Sequence, residues 1–313
     1  MTSPYESGKR VLSKKVAVLI TSYNGQKYLE KQLTSILEQK GCDVKIFVSD
    51  DHSTDSTQQI LLSFLSKYPG RICISETHTR RCSAGANFYE LISKIDCSDF
   101  DYIAFSDQDD IWETQHLISA INACCLRCCD GVSSNVLAFF PNGREKIYRK
   151  NQPQKKYDFL FESPGPGCTF VITKRLFVYI RHVFDKNRDL VSAVFHHDWL
   201  IYAVARSAKF SWFIRDEPLV RYRQHENNET GARIGLKSIS IRLKKISSGW
   251  YADQIHKVAL VVEATKVMEG DQVLECLSKR QNSILLLKWI SQTRRSSSDC
   301  LVFMLSILMG WLR

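Results

Sequence analysis

No stretch of this sequence is both long enough and apolar enough to span a bilayer. The most apolar segment, Cys300–Arg313 (C-L-V-F-M-L-S-I-L-M-G-W-L-R), has fourteen residues, whereas a spanning helix needs about twenty. It reads as a monotopic or partner-packed helix. No apolar run precedes Val16 in the N-terminal M-T-S-P-Y-E-S-G-K-R region, so no secretory leader is expected. Internal repeats and low-complexity tracts are missing, and a hydrophobic content of 44% argues against disorder. The arrangement of a zinc finger is also lacking, although cysteine is plentiful. Eleven cysteines, an odd number without a leader, fit free thiols in a reducing compartment. Cys124, Cys125, Cys128 and Cys129 sit too close together on one short helix to surround a tetrahedral ion. They are expected to pack as small hydrophobes.

Acidic residues are in the minority, 33 against 43 Lys and Arg, for a net charge of +10. The basic excess is uneven: residues 233–246, R-I-G-L-K-S-I-S-I-R-L-K-K-I, alternate basic and apolar positions. No recognisable nucleic-acid module accompanies this stretch, so nucleic acid is not an expected partner. An anionic membrane surface is, with a solvated basic helix face as the alternative.

What is present is a rhythm of strands and helices. Val16–Ile20 is a continuous apolar run, the mark of a strand buried on both faces, and Asn24-Gly25 punctuates the turn after it. A helical pattern through Leu37 follows, then a strand at Val44–Val48. The next helix, capped by Ser53 or Thr54, runs through Leu65, and a strand is expected at Ile72–Ser75. Phe88–Ile95 reads helical and Tyr102–Phe105 as a fourth strand. Beyond it a helix over Trp112–Cys129, a strand at Val136–Phe140, a mobile Lys-rich connection and strands at Cys168–Ile172, Ser211–Ile214 and Leu219–Arg223 are expected. The β-α-β-α order predicts an α/β fold with a mixed, mostly parallel sheet flanked by helices. From about Leu236 the pattern is helical.

Two acidic clusters end two of these strands: Asp50-Asp51 in V-S-D-D-H-S-T-D-S-T, and Asp107-Gln108-Asp109-Asp110 in F-S-D-Q-D-D-I-W. Crowded carboxylates repel one another and lose hydration, and a cation makes such a cluster tolerable. At strand ends in an α/β protein both clusters face the edge where ligands bind. A divalent metal carrying a phosphorylated ligand satisfies both conditions. Asp107 and Asp109 lie two apart, so on an extended segment they project to the same side.

These segments resemble family 2 glycosyltransferases, inverting sugar-nucleotide enzymes with the A-type fold, and most sharply the bacterial rhamnosyltransferases of O-antigen and surface polysaccharide synthesis. The resemblance rests on V-A-V-L-I-T-S-Y-N-G-Q-K-Y-L-E-K-Q-L-T-S-I-L-E-Q, V-S-D-D-H-S-T-D-S-T, F-S-D-Q-D-D-I-W, F-H-H-D-W-L and Y-R-Q-H-E-N-N-E-T-G-A, in order over residues 15–232. It implies a tail (1–14), a catalytic domain (15–235, with a nucleotide part to 112 and an acceptor part from 113) and a helical extension (236–313).

By that resemblance Thr21 and Tyr23 line the nucleotide pocket, Tyr23 stacking on the base, and Asp51 accepts a hydrogen bond from a pyrimidine N3–H, as a carboxylate can. Asp107 also touches the nucleotide, and with Asp109 it holds Mg2+ or Mn2+; His225 completes the metal shell or contacts the diphosphate. Asp110 hydrogen-bonds the sugar or caps a helix starting near Trp112. Asp198 matches the position of the general base, with His197 the competing candidate. Trp112, Gly167, His197 and Trp199 fall on the acceptor or sugar side, with Trp199 helping to enclose Asp198. Arg80 or Arg81 could contact phosphate, although Cys82 departs from the family pattern. The implied donor is dTDP-L-rhamnose, with a UDP-sugar open, and the implied acceptor is a glycan, lipid-linked in the fullest reading. The implied location is cytoplasmic, peripheral on the inner membrane. The alternative is a non-catalytic sugar-nucleotide-binding subunit.

Overall fold

The structure, a computed structural model, describes residues 13–75, 79–225 and 244–312. The first part alternates as the sequence implies: β1 (Lys14–Ser22), α1 (Leu29–Leu37), β2 (Cys42–Asp50), α2 (Thr57–Lys67), β3 (Ile72–Ser75), α3 (Ala84–Lys94) and β4 (Tyr102–Ser106). Then follow β5 (Ile111–Trp112), α4 (His116–Arg127), β6 (Gly131–Ser134), β7 (Val136–Phe139), β8 (Glu145–Tyr148) and β9 (Val171–Thr173). Three helices, α5 (Lys174–Lys186), α6 (Arg188–Ser192) and α7 (His197–Ser207), lead to β10 (Trp212–Arg215) and β11 (Val220–Arg223). The chain closes with α8 (Trp250–Ala264), α9 (Gln272–Ser278) and α10 (Ser297–Leu308).

The main sheet has the order β10-β6-β9-β4-β1-β2-β3, with β9 antiparallel to its neighbours. β1 is an interior strand next to the central β4, parallel to β2 on one side and to β4 on the other; Ser22 pairs with Asp50 and Ile20 with Ser106. The chain thus reverses its direction of sheet growth at β1, and the two acidic clusters leave the sheet from the strands on either side of it. An open α/β sheet binds ligands at such a crevice.

The burial of β1 explains its unbroken apolar run. Val16, Val18 and Ile20 join one hydrophobic cluster, with Leu33, Ile36 and Leu61; Ala17 and Leu19 join the other, with Phe88, Phe105 and Phe177. The helices α8, α9 and α10 pack on this second face: Val258, Leu274, Phe303 and Ile307 are all buried in the same cluster. The helical extension therefore shares the core of the catalytic part. Full burial of an aromatic or aliphatic side chain contributes about 1.5–3 kcal/mol, so Phe303 and Ile307 are substantial members of the core.

The structure revises several local expectations. Instead of one helix over Trp112–Cys129, Ile111 and Trp112 form a short strand against Arg221 and Val220, and the helix begins at His116. It ends at Cys128, which takes a left-handed conformation (φ 48°). The expected Lys-rich connection contains β8, an edge strand paired with β7. α2 starts at Thr57, later than Ser53 or Thr54 would have it. Cys168 falls in a short 3-10 turn before β9. Within the apolar C-terminus, α10 is a single packed helix, and among the described residues no helix is long and apolar enough to cross a membrane. Most of the basic stretch 233–246 lies outside the described residues.

Candidate active site

The loops after β1 and β2 are fastened to one another by short polar side chains. Asp50 accepts from the Ser22 hydroxyl (2.7 Å), the Ser53 hydroxyl (2.5 Å) and the Ser53 N–H (3.0 Å). Asn24, in the left-handed region (φ 47°), donates its N–H to Ser53 Oγ and accepts from Thr54 N–H through its side chain. Asp51 is buried, and its two oxygens accept the N–H groups of Arg81 (2.5 Å) and Cys82 (2.8 Å). Asp51 thereby anchors the loop before α3. Asn87, on that helix, exchanges two hydrogen bonds with Ser49 of β2. Thr21 is buried at the end of β1, while Tyr23 is 37% exposed, with the Arg80 guanidinium 4.4 Å from its ring centre. Arg81 forms an ion pair with Glu90.

The loop after β4 is tied to the same place. Gln108 accepts from Tyr23 N–H (2.9 Å) and donates to Tyr23 C=O (3.0 Å), so its amide completes a two-bond clamp between the loop after β1 and the acid cluster. A side chain at Gly25 would collide with the Gln108 amide oxygen, which explains the glycine. From the other side comes β11. Arg223 donates its N–H to Asp110 Oδ1 (3.0 Å) and its Nε–H to the Asp109 carbonyl (2.7 Å). His225 Nε2 lies 2.6 Å from Asp109 Oδ2, and Tyr28 stacks on the His225 ring at 5.3 Å.

Asp110 is fully buried, so it neither caps a helix nor reaches the surface. α4 begins later, with Gln115 at its cap position. The Asp110 Oδ2 atom is buried without an N–H or O–H partner; the weak S–H of Cys168 lies beside the carboxyl. Burial, with the charges of Asp109 and Asp107 next in importance, pushes the Asp110 carboxyl well above the usual carboxylate range. Burial and the same acids push the Cys168 thiol and the Tyr222 phenol up as well. Ligand atoms of Asp107, Asp110 and Cys168 lie within 4.8 Å of one another.

The third group stands at the start of α7. Gly167 packs against His197 and Asp198: a Cβ there would stand 2.7 Å from His197 Nε2 and 3.2 Å from Asp198 Cβ. The His197 ring stacks on Phe88 at 4.0 Å, its Nε2 is buried without a partner, and burial lowers its pKa to about 4. Asp198 is half-buried and accepts from the N–H of Trp199 (2.7 Å). The dipeptide Gly167-Cys168 thus joins the two halves, with Gly167 against His197 and Asp198, and Cys168 against Asp110.

The two tryptophans assigned to the acceptor or sugar side sit elsewhere. Trp199 is buried and donates its indole N–H to the Phe159 carbonyl (2.9 Å), so it is a core residue and does not wall in Asp198. Trp112 is buried against His116, 4.6 Å between ring centres. Both are large apolar bodies next to short strands or helix starts, and burial claimed them.

Comparisons with known proteins agree with this arrangement. The profile described as Glycosyl transferase family 2 matches residues 17–188. The chain belongs to glycosyl transferase family 2. It is 41% identical over 240 residues to the dTDP-rhamnosyl transferase RfbG of Shigella flexneri, covering 77% of this chain and 83% of that protein. It is 27% identical over 168 residues to the UDP-Glc:alpha-D-GlcNAc-diphosphoundecaprenol beta-1,3-glucosyltransferase WfgD of Escherichia coli, covering 51% and 60%. Among solved structures, TarS 1-349 of S. aureus in complex with UDP has the same fold (TM-score 0.53, 16% identity, 88% of this chain and 78% of that one).

In this glycosyltransferase the chemistry of the acid cluster fits a hard divalent cation. Asp107, Asp109 and Asp110 supply oxygens, and one buried Asp110 oxygen lacks a strong donor. A cation would turn the mutual repulsion that raises the Asp110 pKa into attraction. The Cys168 thiol, held protonated, suits such an ion poorly. Sequence reasoning missed Gln108, Tyr28 and Arg223, which position the cluster without belonging to it. Their only signal was adjacency to the motifs.

Proposed function

We propose that this glycosyltransferase moves L-rhamnose from dTDP-L-rhamnose, with inversion, to a lipid-linked or polysaccharide acceptor during synthesis of a cell-surface glycan such as O-antigen. The observation that carries the reading is the acid cluster at the β1–β4 crevice, where Asp107 approaches Asp110 and Asp109 pairs with His225, beside the loop after β1 that Gln108 clamps and the loop after β2 that carries Asp51. The 41% identity to a dTDP-rhamnosyl transferase supports the choice of donor.

Tyr23 offers a partly exposed ring for the base to stack on, and Thr21 and Asp51 lie buried at the ends of the adjacent strands β1 and β2. Asp107 and Asp109 would hold Mg2+ or Mn2+, with His225 and Asp110 completing the set. When bound, the ion neutralises the diphosphate leaving group. Asp198 takes the proton from the attacking acceptor hydroxyl. His197, with its pKa near 4, is neutral at pH 7 and too weak a base to compete for that proton. Gly167 packs closely against His197 and Asp198, where a larger residue would crowd both side chains. The acceptor's lipid and the exposed apolar residues of α10 give the enzyme reason to work on the cytoplasmic face of a membrane.

A UDP-hexose donor is the second reading, favoured by the likeness to WfgD. A donor screen with dTDP- and UDP-sugars, with and without chelator, decides between them. Turnover of dTDP-rhamnose abolished by chelator is the expected result. Turnover that survives chelator removes the metal, and nucleotide binding without any turnover makes the chain a non-catalytic subunit.

A further inference from the structure

The last rung that β1 and β4 share joins Ile20 to Ser106. Past it the two chains part, β1 toward the loop that carries Tyr23 and β4 toward Asp107-Gln108-Asp109-Asp110. Gln108 crosses the gap. Its amide oxygen accepts from Tyr23 N–H and its amide N–H donates to Tyr23 C=O, at 2.9 and 3.0 Å. A primary amide carries a donor beside an acceptor, so one side chain stands in for the next rung of the sheet. An ionised carboxylate has no N–H or O–H to give the carbonyl and could not do the same. The one uncharged residue of D-Q-D-D is therefore a glutamine for a physical reason.

Both partners of this clamp are fixed from behind. A Cβ at Gly25 would run into Gln108 Oε1 and stand 3.1 Å from its Cδ, so the amide fills the space that the glycine leaves. The N–H of Gly25 is held by Thr57 Oγ1 (2.7 Å) and that of Gln26 by Asp55 (3.1 Å), which ties the loop after β1 to the start of α2. On the far side Arg223 of β11 holds the Asp109 carbonyl and the Asp110 carboxylate. The exposed ring of Tyr23 and the acids thus belong to two separately anchored segments. Gln108, one residue from Asp107 and one from Asp109, joins them.

We propose that Gln108 is a positioning residue that sets the distance between the base site at Tyr23 and the diphosphate site at Asp107 and Asp109, so that a nucleoside diphosphate engages both ends at once. The proposal rests on the donor and metal sites of the reading above and adds the part that joins them. A ligand whose two ends bind separate groups gains from the second end only as far as the spacing matches. Gln108 acts through Tyr23 and the acids, so its effect belongs to the span and not to either end.

The test compares ligands that reach one end with a ligand that reaches both, using the full chain. Calorimetry gives the affinity for dTDP with Mn2+ and for dTMP with EDTA, and the paramagnetic resonance of free Mn2+ gives the affinity for the ion alone; UDP and UMP are run in parallel. Gln108→Met has similar length and neither hydrogen bond. It should weaken dTDP–Mn2+ binding about tenfold, the scale of two hydrogen bonds, and leave dTMP and Mn2+ alone within about twofold. Gly25→Ala forces the amide off Tyr23 and should give the same pattern; Gly25 is not in the left-handed region, so the alanine adds no backbone strain. With Gln108→Ala already in place no amide remains to be displaced, and Gly25→Ala should cost nothing further. Equal losses for dTDP and for dTMP or Mn2+ alone, in both single variants, would make Gln108 a support of one end and overturn the proposal. Unchanged dTDP affinity in both single variants overturns it too, as do additive losses in the double variant. Wild-type protein that binds dTDP and UDP no better than the monophosphates overturns the donor reading, and the span falls with it. The expected pattern without sugar transfer supports the span and tells against the reaction instead.

Discussion

Gly167 and His197 are in such close contact that one methyl group on the glycine would press on the imidazole Nε2 from 2.7 Å. The contact has no slack, since the ring is already stacked on Phe88. Gly167→Ala should therefore fold, displace the start of α7 and lower kcat for transfer roughly a hundredfold, the scale of an ångström-sized misplacement. Nucleotide affinity, measured by calorimetry, should stay within a factor of two or so, because Tyr23 and Asp51 lie on other loops.

Asp198→Asn keeps the shape of the side chain and its hydrogen bond from Trp199 N–H but removes the basic oxygen. Transfer should fall by about 10²–10⁴ while donor binding persists. Unchanged transfer in a steady-state assay would remove Asp198 from the mechanism.

Tyr23→Ala removes the exposed ring and frees Arg80. The loss should be in KM for the donor, by about tenfold for a stacking contact of 1–3 kcal/mol, with kcat nearly constant. A fall in kcat at unchanged KM would place Tyr23 with the reacting atoms instead.

Two imidazoles make the fold sensitive to acid. His116 is buried with both ring nitrogens unpartnered, and burial, followed by the charge of Arg215, lowers its pKa to about 3; His197 is held at about 4. Both are depressed below the unfolded value, so the stability from keeping them neutral is complete above about pH 6.5 and is lost as pH falls toward those values. Each contributes a slope of about 1.4 kcal/mol per pH unit at most. Urea midpoints for His116→Leu should fall less steeply between pH 6 and 4 than wild type, to an extent of order one such slope. Parallel curves would show that another group titrates there.

Breaking the buried ion network should cost more than any surface substitution. Asp158, fully buried, receives Tyr202, Arg206 and Arg295 at 2.9, 3.3 and 3.0 Å. Arg295→Met leaves that carboxylate short of a partner and should destabilise the protein by about 3–5 kcal/mol. Pairing it with Asp158→Asn should recover part of that loss in the same denaturation assay.

Much of this was legible in the sequence because it was local. The apolar run Val16–Ile20 is explained by burial on both sheet faces, and the two acid clusters end the strands on either side of β1. Asp109 and His225 lie side by side though far apart in the chain. What was not legible depended on the third dimension. Nothing in D-Q-D-D distinguishes Asp110, sealed against Cys168, from its exposed-looking neighbours. Gln108 is informative only once its amide is seen gripping Tyr23. Trp112 and Trp199 were read as ligand-facing because they adjoin motifs, but their size made them core. The amphipathic helix α5 went unread, and the C-terminal helices were set apart as an extension because their pattern changes, although the surface they complete belongs to α3, α5 and α7.

That last arrangement bears on synthesis. Asp158 emerges from the ribosome long before Arg295, and Phe161 long before Phe303, its ring partner at 4.9 Å. Until the C-terminal segment appears, a buried acid lacks one of its cations and part of the second hydrophobic cluster stays open to water. The nascent enzyme must therefore wait in a half-closed state, and a stalled or truncated chain would be a substrate for chaperones and proteases before it could be a transferase.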